Sequence, residues 1–154
     1  SNRENQVCAI MTADCLPILL CNKKGVQVAA IHAGWRGLAS GIIEKTVAQF
    51  NCPNGEIIAW LGPAIGPSQF EVGTDVYDVF KSHSSKATLA FQQVDSSHYL
   101  ANIYLLAKQR LNDLGIYGIF GGEHCTVLDS SHFFSYRRDS ITGRMASMIW
   151  IDHK

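Results

Sequence analysis

The chain has 154 residues, the length of one ordinary domain, with 47% apolar and 17% charged side chains, a balance that excludes an intrinsically disordered polymer. Thirteen basic residues offset thirteen acidic ones, so no long-range field gathers phosphate backbones or anionic lipid, and neither nucleic acid nor a membrane is expected as a partner. Five cysteines, an odd number with Cys8, Cys15 and Cys21 inside apolar stretches, exclude a disulfide framework and point to reduced thiols and the cytoplasm.

Residues 7–20 form an apolar stretch interrupted by Thr12-Ala13-Asp14 and by Pro17. It reads as two strand pieces with a polar break that leaves Asp14 and Cys15 at a strand end. Asn22-Lys23-Lys24-Gly25 is a turn, so residues 16–21 and 26–31 are expected to pair as a hairpin. Such a hairpin brings Cys15 and His32 side by side at its open end. After the loop Ala33-Gly34-Trp35-Arg36-Gly37, the residues Leu38, Ile42, Val47 and Phe50 mark one face of a helix ending near Asn51. Residues 56–61 read as a strand. The loop that follows, Gly62-Pro63-Ala64-Ile65-Gly66-Pro67, is fixed in shape by its two glycines and two prolines. A short helix over 74–82, capped by Thr74 or Asp75, precedes a longer one through Leu100, Ile103, Tyr104, Ala107, Leu111 and Leu114, ended by Gly115. Residues 116–120 and 144–151 are strand-like, with the aromatic-then-basic segment Phe133-Phe134-Ser135-Tyr136-Arg137-Arg138-Asp139 between them. No repeat or Gly/Ser linker divides the chain.

Cys15 is the first candidate for chemistry. A thiol at a strand end beside Asp14 serves a metal as thiolate, or acts as a nucleophile once its pKa is lowered. His32, ending an apolar strand and followed by two small residues, is the second. A soft thiolate with an imidazole suits zinc, with copper(I) as the alternative. Catalytic zinc ordinarily takes three protein ligands, and no spacing rule fixes the third. His124 and Cys125 either supply it or belong to a polar turn after Gly121-Gly122. Arg36, between Trp35 and Gly37, either holds an anion or packs on Trp35 as a surface residue. Arg137, Arg138 and Arg144 either line a pocket or brace the structure through Asp139.

The segments Thr12-Ala13-Asp14-Cys15-Leu16-Pro17, His32-Ala33-Gly34-Trp35-Arg36-Gly37, Leu61-Gly62-Pro63-Ala64-Ile65-Gly66-Pro67 and Phe133-Phe134-Ser135-Tyr136-Arg137-Arg138-Asp139, taken as a set, resemble the YfiH-type family of laccase-domain proteins, also called the polyphenol oxidase or purine nucleoside phosphorylase family. The resemblance implies an α+β fold, a layered α/β/β/α sandwich with mixed sheets. It implies a Cys-His-His metal centre whose Cys and one His fall on Cys15 and His32. The other His of that centre belongs to a Gln-Val-His-Gly motif, which this sequence lacks. With no Met at position 1, the expectation is that residues 1–154 are a single domain, the carboxy-terminal portion of a longer protein.

The activity so implied is zinc-dependent phosphorolysis of adenosine, inosine and S-methyl-5′-thioadenosine, with associated adenosine deaminase activity. Its partners are a purine nucleoside and phosphate. Cys15 and His32 are then metal ligands and catalytic residues, and Arg36 is the candidate for the phosphate. An older assignment in the same family is copper-dependent polyphenol oxidation, which six histidines without a His-x-His pair suit poorly. A cysteine hydrolase acting on peptidoglycan precursors, with Cys15 as nucleophile and His32 as base, is a further reading. A metal-stabilised interaction domain is the non-enzymatic one.

Overall fold

A computed structural model describes residues 1–152. The strands are β1 Cys8–Thr12, β2 Leu16–Asn22, β3 Val28–Ala33, β4 Ile57–Leu61, β5 Glu71–Gly73, β6 Phe91–Gln93, β7 His98–Ala101, β8 Gly118–Gly121 and β9 Met145–Ile149. The helices are α1 Trp35–Ala39, α2 Ile42–Val47, α3 Thr74–His83, α4 Ile103–Asp113 and α5 Tyr136–Asp139. The architecture is the expected mixed α+β one, with one mixed sheet in the order β3-β2-β4-β8, a three-stranded sheet β5-β7-β6, and a ribbon joining β1 to β9.

The expected hairpin is β2 and β3, antiparallel with Leu16 opposite Ala33 and Pro17 opposite His32. Its turn is built by buried Asn22, whose Oδ1 accepts from the N–H groups of Val26 and Gln27 at 2.9 and 3.2 Å. β2 runs through Pro17, where the sequence suggests an interruption. Pairing with β4 begins only at Ile18, opposite Leu61, so the proline stands at the start of the strand, where a missing N–H is tolerated. β4 then pairs parallel with β8.

Two further expectations need correction. The helix read over residues 38–51 is split into α1 and α2, because Gly41 adopts a left-handed φ of 79° between them and ends the first before the second begins. Leu100 is not in the long helix. It lies in β7, opposite Glu71 and Gln92, and α4 starts only after Asn102, whose side chain caps it by accepting from Leu105 N–H at 2.9 Å.

The core gathers Leu16, Ile18 and Leu20 of β2, Leu38 and Ile43 of α1 and α2, Leu61 of β4, and Ile103 and Leu111 of α4. Each such side chain removed from water contributes on the order of 1.5–3 kcal/mol. The ribbon of β1 and β9 lies against β2 and β3, with Met11, Met148 and Trp150 at least half exposed on its outer side. The five cysteines are free thiols. Among the described residues no helix is long and apolar enough to cross a membrane.

Candidate functional site

The break between β1 and β2 is held by Asp14. Its φ of 87° is left-handed, a conformation that Asp tolerates better than most residues. Three bonds secure it there. Thr126 Oγ1 donates to Asp14 Oδ1 at 2.6 Å, the Arg137 backbone N–H donates to Oδ2 at 2.7 Å, and Ile65 N–H donates to the Asp14 carbonyl at 2.9 Å. One buried residue thus fastens the start of β2 to the 62–67 loop, to the segment after β8 and to α5. Cys15 follows directly, its direction set by that anchorage.

On the neighbouring strand His32 is the penultimate residue of β3 and is exposed. Gly34 lies just past Ala33, the partner of Leu16. A Cβ at position 34 would stand 2.9 Å from Cys15 Sγ and 3.8 Å from His32 Nε2. The glycine therefore keeps clear a space that thiol and imidazole both face, which is the convergence expected from the hairpin. These two donors suit a zinc or copper(I) centre in kind. Such a centre ordinarily takes three protein ligands, and among the described residues no group of three or more His, Cys, Asp and Glu is assembled.

Burial is the main cause that raises the Cys15 thiol above its ordinary pKa; the Asp14 charge adds to it, and Arg144 opposes it. A thiol held protonated is a poor nucleophile by itself. A bound cation removes that proton outright. Arg144, whose role the sequence left open, thus acts on Cys15 through its charge.

Arg36 lies within α1, is exposed, and stacks its guanidinium carbon 4.4 Å from the Trp35 ring centroid. Trp35 in turn lines a cavity of about 160 Å³ shared with Asp14, Cys15, Phe70 and Tyr136. His124 and Cys125 are not brought to the Cys15–His32 pair within any three-donor group. They line a separate cavity of about 250 Å³ with Tyr104 and Lys108, where Cys125 Sγ accepts from Gly66 N–H at 3.2 Å.

Arg138 braces the structure: it donates to the carbonyls of Thr126, Val127 and Phe133 and pairs with Asp139. Arg137 does both, donating to the Glu71 carbonyl while lining the cavity beside Cys15.

Sequence reasoning missed Thr126, an ordinary threonine with nothing local to mark it, and Tyr104, read only as part of a helix face. The Tyr104 hydroxyl accepts from Ala64 N–H at 2.7 Å and donates to the His124 carbonyl at 2.7 Å. It clamps the 62–67 loop to the segment that carries Thr126.

Residues 1–152 match the family described as multi-copper polyphenol oxidoreductase laccase. A Shigella flexneri protein named purine nucleoside phosphorylase YfiH is 56% identical over 98% of this chain and 62% of its own length. A Haemophilus influenzae purine nucleoside phosphorylase is 54% identical over 99% of this chain and 63% of its own. The crystal structure of a Neisseria meningitidis protein superposes with a TM-score of 0.94 at 52% identity, covering 96% of this chain and 61% of that one. The Bacillus licheniformis hypothetical protein YfiH does so at 0.94 and 31% identity, covering 98% and 60%. The chain spans about three-fifths of the length of the curated relatives it matches. With the four sequence segments, the hairpin that joins Cys15 to His32 and these matches in agreement, the chain belongs to the YfiH-type laccase family.

Proposed function

We propose that this chain carries the Cys–His side of a metal-dependent purine nucleoside phosphorylase acting on adenosine, inosine and S-methyl-5′-thioadenosine, with associated adenosine deaminase activity. The observation that carries the reading is the shared space that Cys15 Sγ and His32 Nε2 face across Gly34, next to an aromatic-walled cavity. The names of the relatives support the substrate class.

Cys15 and His32 would hold zinc, with copper as the alternative, together with a third donor, and the metal so held would supply Lewis-acid activation of water for deamination. Asp14 keeps Cys15 aimed at the centre through its own bonds to Thr126 and Arg137. Gly34 keeps the space open. In phosphorolysis a phosphate oxygen forms a bond to the sugar carbon while the carbon–nitrogen bond to the purine breaks. The electron pair leaves with the base, which takes up a proton, and the products are a free purine and a sugar 1-phosphate. Arg36, exposed and fixed on Trp35, offers its guanidinium to the phosphate. The free thiols support a reducing, cytoplasmic setting.

The family description favours a second reading, copper-dependent polyphenol oxidation. Base release from adenosine and inosine, with and without phosphate, separates the two when measured on protein of known metal content beside its Cys15→Ala variant. Phosphate-dependent release that disappears in Cys15→Ala is the expected result. No release from folded, zinc-loaded protein that oxidises a phenol when copper-loaded would favour the oxidase.

A further inference from the structure

The cavity of about 250 Å³ away from Cys15 opens between the 62–67 loop, the first turns of α4 and the segment after β8. Lys108, Glu123, His124 and Cys125 bring an ammonium, a carboxylate, an imidazole and a thiol to its lining. We propose that it is a modification site, in which the disulfide of a free α-amino acid is held by its ammonium and carboxylate groups and exchanged onto Cys125. The proposal is independent of the phosphorylase reading.

The charges suit a zwitterion. Lys108 is half-buried and Glu123 is exposed, and among the described residues neither forms an ion pair, with the other or with a third group. Both charges face one cavity and are open to a ligand that complements them. An α-amino acid carries the two complements on a single carbon, whereas a plain anion or cation satisfies one wall and is repelled by the other. Size agrees with this class. The cavity lies below the roughly 300 Å³ at which pockets for drug-sized ligands begin, and Pro67 and Leu105 add apolar surface, so one amino-acid unit fits.

The thiol is placed for exchange. Cys125 is free and half-buried, and its Sγ accepts from Gly66 N–H at 3.2 Å, a bond that favours the thiolate. A Cβ at position 66 would stand 2.9 Å from Cys125 Cβ and 3.0 Å from its Sγ, so only glycine lets the sulfur lie against that backbone. In cystine each sulfur is one carbon beyond the α-carbon, and an α-carbon held by Lys108 and Glu123 presents the disulfide inside the cavity that Cys125 lines. Cys125 releases its proton to solvent and its thiolate attacks one ligand sulfur. The new sulfur–sulfur bond forms as the ligand's own breaks, and the electron pair leaves with the other half, which takes up a proton as a free thiol. The ligand disulfide is the oxidant, and reduction by thiols reverses the step.

The adduct acts on a strap. The His124 carbonyl is held by the Tyr104 hydroxyl at 2.7 Å, and Thr126 donates its N–H to the Ala64 carbonyl at 3.0 Å and its Oγ1 to Asp14 at 2.6 Å. Cys125 lies between these ties. A half-cystine on Sγ takes the acceptor from Gly66 N–H and loosens the strap that reaches Asp14.

The test is time-resolved mass spectrometry with peptide mapping on protein exposed to cystine, cystamine or dithiodipropionate, which share a disulfide and differ in charge. Each rate is divided by that of the same reagent with the chain in denaturant, which removes intrinsic reactivity. Cystine is expected to modify Cys125 with a ratio about threefold to fivefold above those of the other two. Lys108→Met should lower the ratios for cystine and dithiodipropionate by a similar factor and not that for cystamine. Glu123→Gln should lower those for cystine and cystamine and not that for dithiodipropionate; its exposed position decides the matter where Lys108→Met unfolds. Protein modified at Cys125 should melt about 2–4 °C lower and recover with dithiothreitol.

Cystine without an advantage over the singly charged reagents overturns the proposal, as does an advantage that the folded variants retain. An adduct that maps chiefly to Cys8, Cys15, Cys21 or Cys52 overturns it too. A melt unmoved by full modification of Cys125 overturns the action on the strap.

Discussion

Replacing Tyr104 by Phe removes one oxygen and leaves the ring in place. Two 2.7 Å hydrogen bonds disappear, one from Ala64 N–H and one to the His124 carbonyl. Ala64 is fully buried, so its N–H is left without water, and an unsatisfied buried donor costs about 1–3 kcal/mol. With the second bond added, the loss is about 2–3 kcal/mol, read as a lower denaturant midpoint at unchanged slope.

A second, independent signature follows from ionisation. Burial first, and the Cys125 charge second, push the Tyr104 phenol up to about 12, against the pull of the Ala64 N–H. In the unfolded chain the phenol ionises near pH 10. Between the two values unfolding releases a proton, so the hydroxyl's contribution is complete below pH 10 and lost as pH rises through about 12. Two pH units correspond to on the order of 2–3 kcal/mol. The gap between parent and Tyr104→Phe should therefore be full at neutral pH and close across the alkaline window. A variant within about 0.5 kcal/mol of the parent at neutral pH, or a gap that does not change with alkali, would refute the clamp.

Gly34→Ala should weaken zinc binding by roughly 10–100-fold, because its Cβ would stand 2.9 Å from Cys15 Sγ and force the thiol aside. Competition with a chromophoric chelator measures this, and unchanged affinity would mean that the two donors do not share that space. Arg110 is buried, donates to Glu44 Oε1 at 2.6 Å and to the Ala39 carbonyl at 3.3 Å, while Glu44 Oε2 is buried without a hydrogen bond. Arg110→Met should destabilise by about 3 kcal/mol, the low end for breaking a buried pair because Glu44 keeps some solvent; adding Glu44→Gln should recover part of it in the same unfolding assay. Asp95 is held down at about 2 by the Ser97 N–H first and by His98 second. Its stabilising effect is present above the ordinary carboxylate range and lost as pH falls toward that value. Carboxyl-resolved NMR titration should place it near 2 and find it higher in His98→Ala; an unshifted parent signal would contradict the turn geometry.

The parts of the fold legible in the sequence are those with a local cause. The hairpin of β2 and β3 announces itself by two apolar runs around Asn22-Lys23-Lys24-Gly25, and its register carries Cys15 and His32 to one end without further information. The split at Gly41 was hidden because the apolar spacing of Leu38, Ile42 and Val47 continues across it, and a single glycine inside a helical pattern is ambiguous. β5, β6 and β7 are three or four residues each, too short to show a period of two. Within the site, Asp14 was visible beside Cys15, but its partners Thr126 and Arg137 lie more than a hundred residues away in sequence. Such pairings arise from tertiary packing alone, as do the cavity walls Phe70 and Ile103, which read from sequence as ordinary core.

The ribbon of β1 and β9 ties Cys8 to Ile149 and Thr12 to Met145, nearly the two ends of the described chain. On a ribosome adding roughly 5–20 residues per second, the first strand therefore emerges on the order of ten seconds before its partner exists. Throughout that interval Ile10 and Met11 lie on an unpaired strand edge, the kind of template that captures foreign strands. Closure of the ribbon thus waits for residues 145–149, and a chain that stops short of Met145 leaves β1 without its mate however complete the Cys15–His32 hairpin already is.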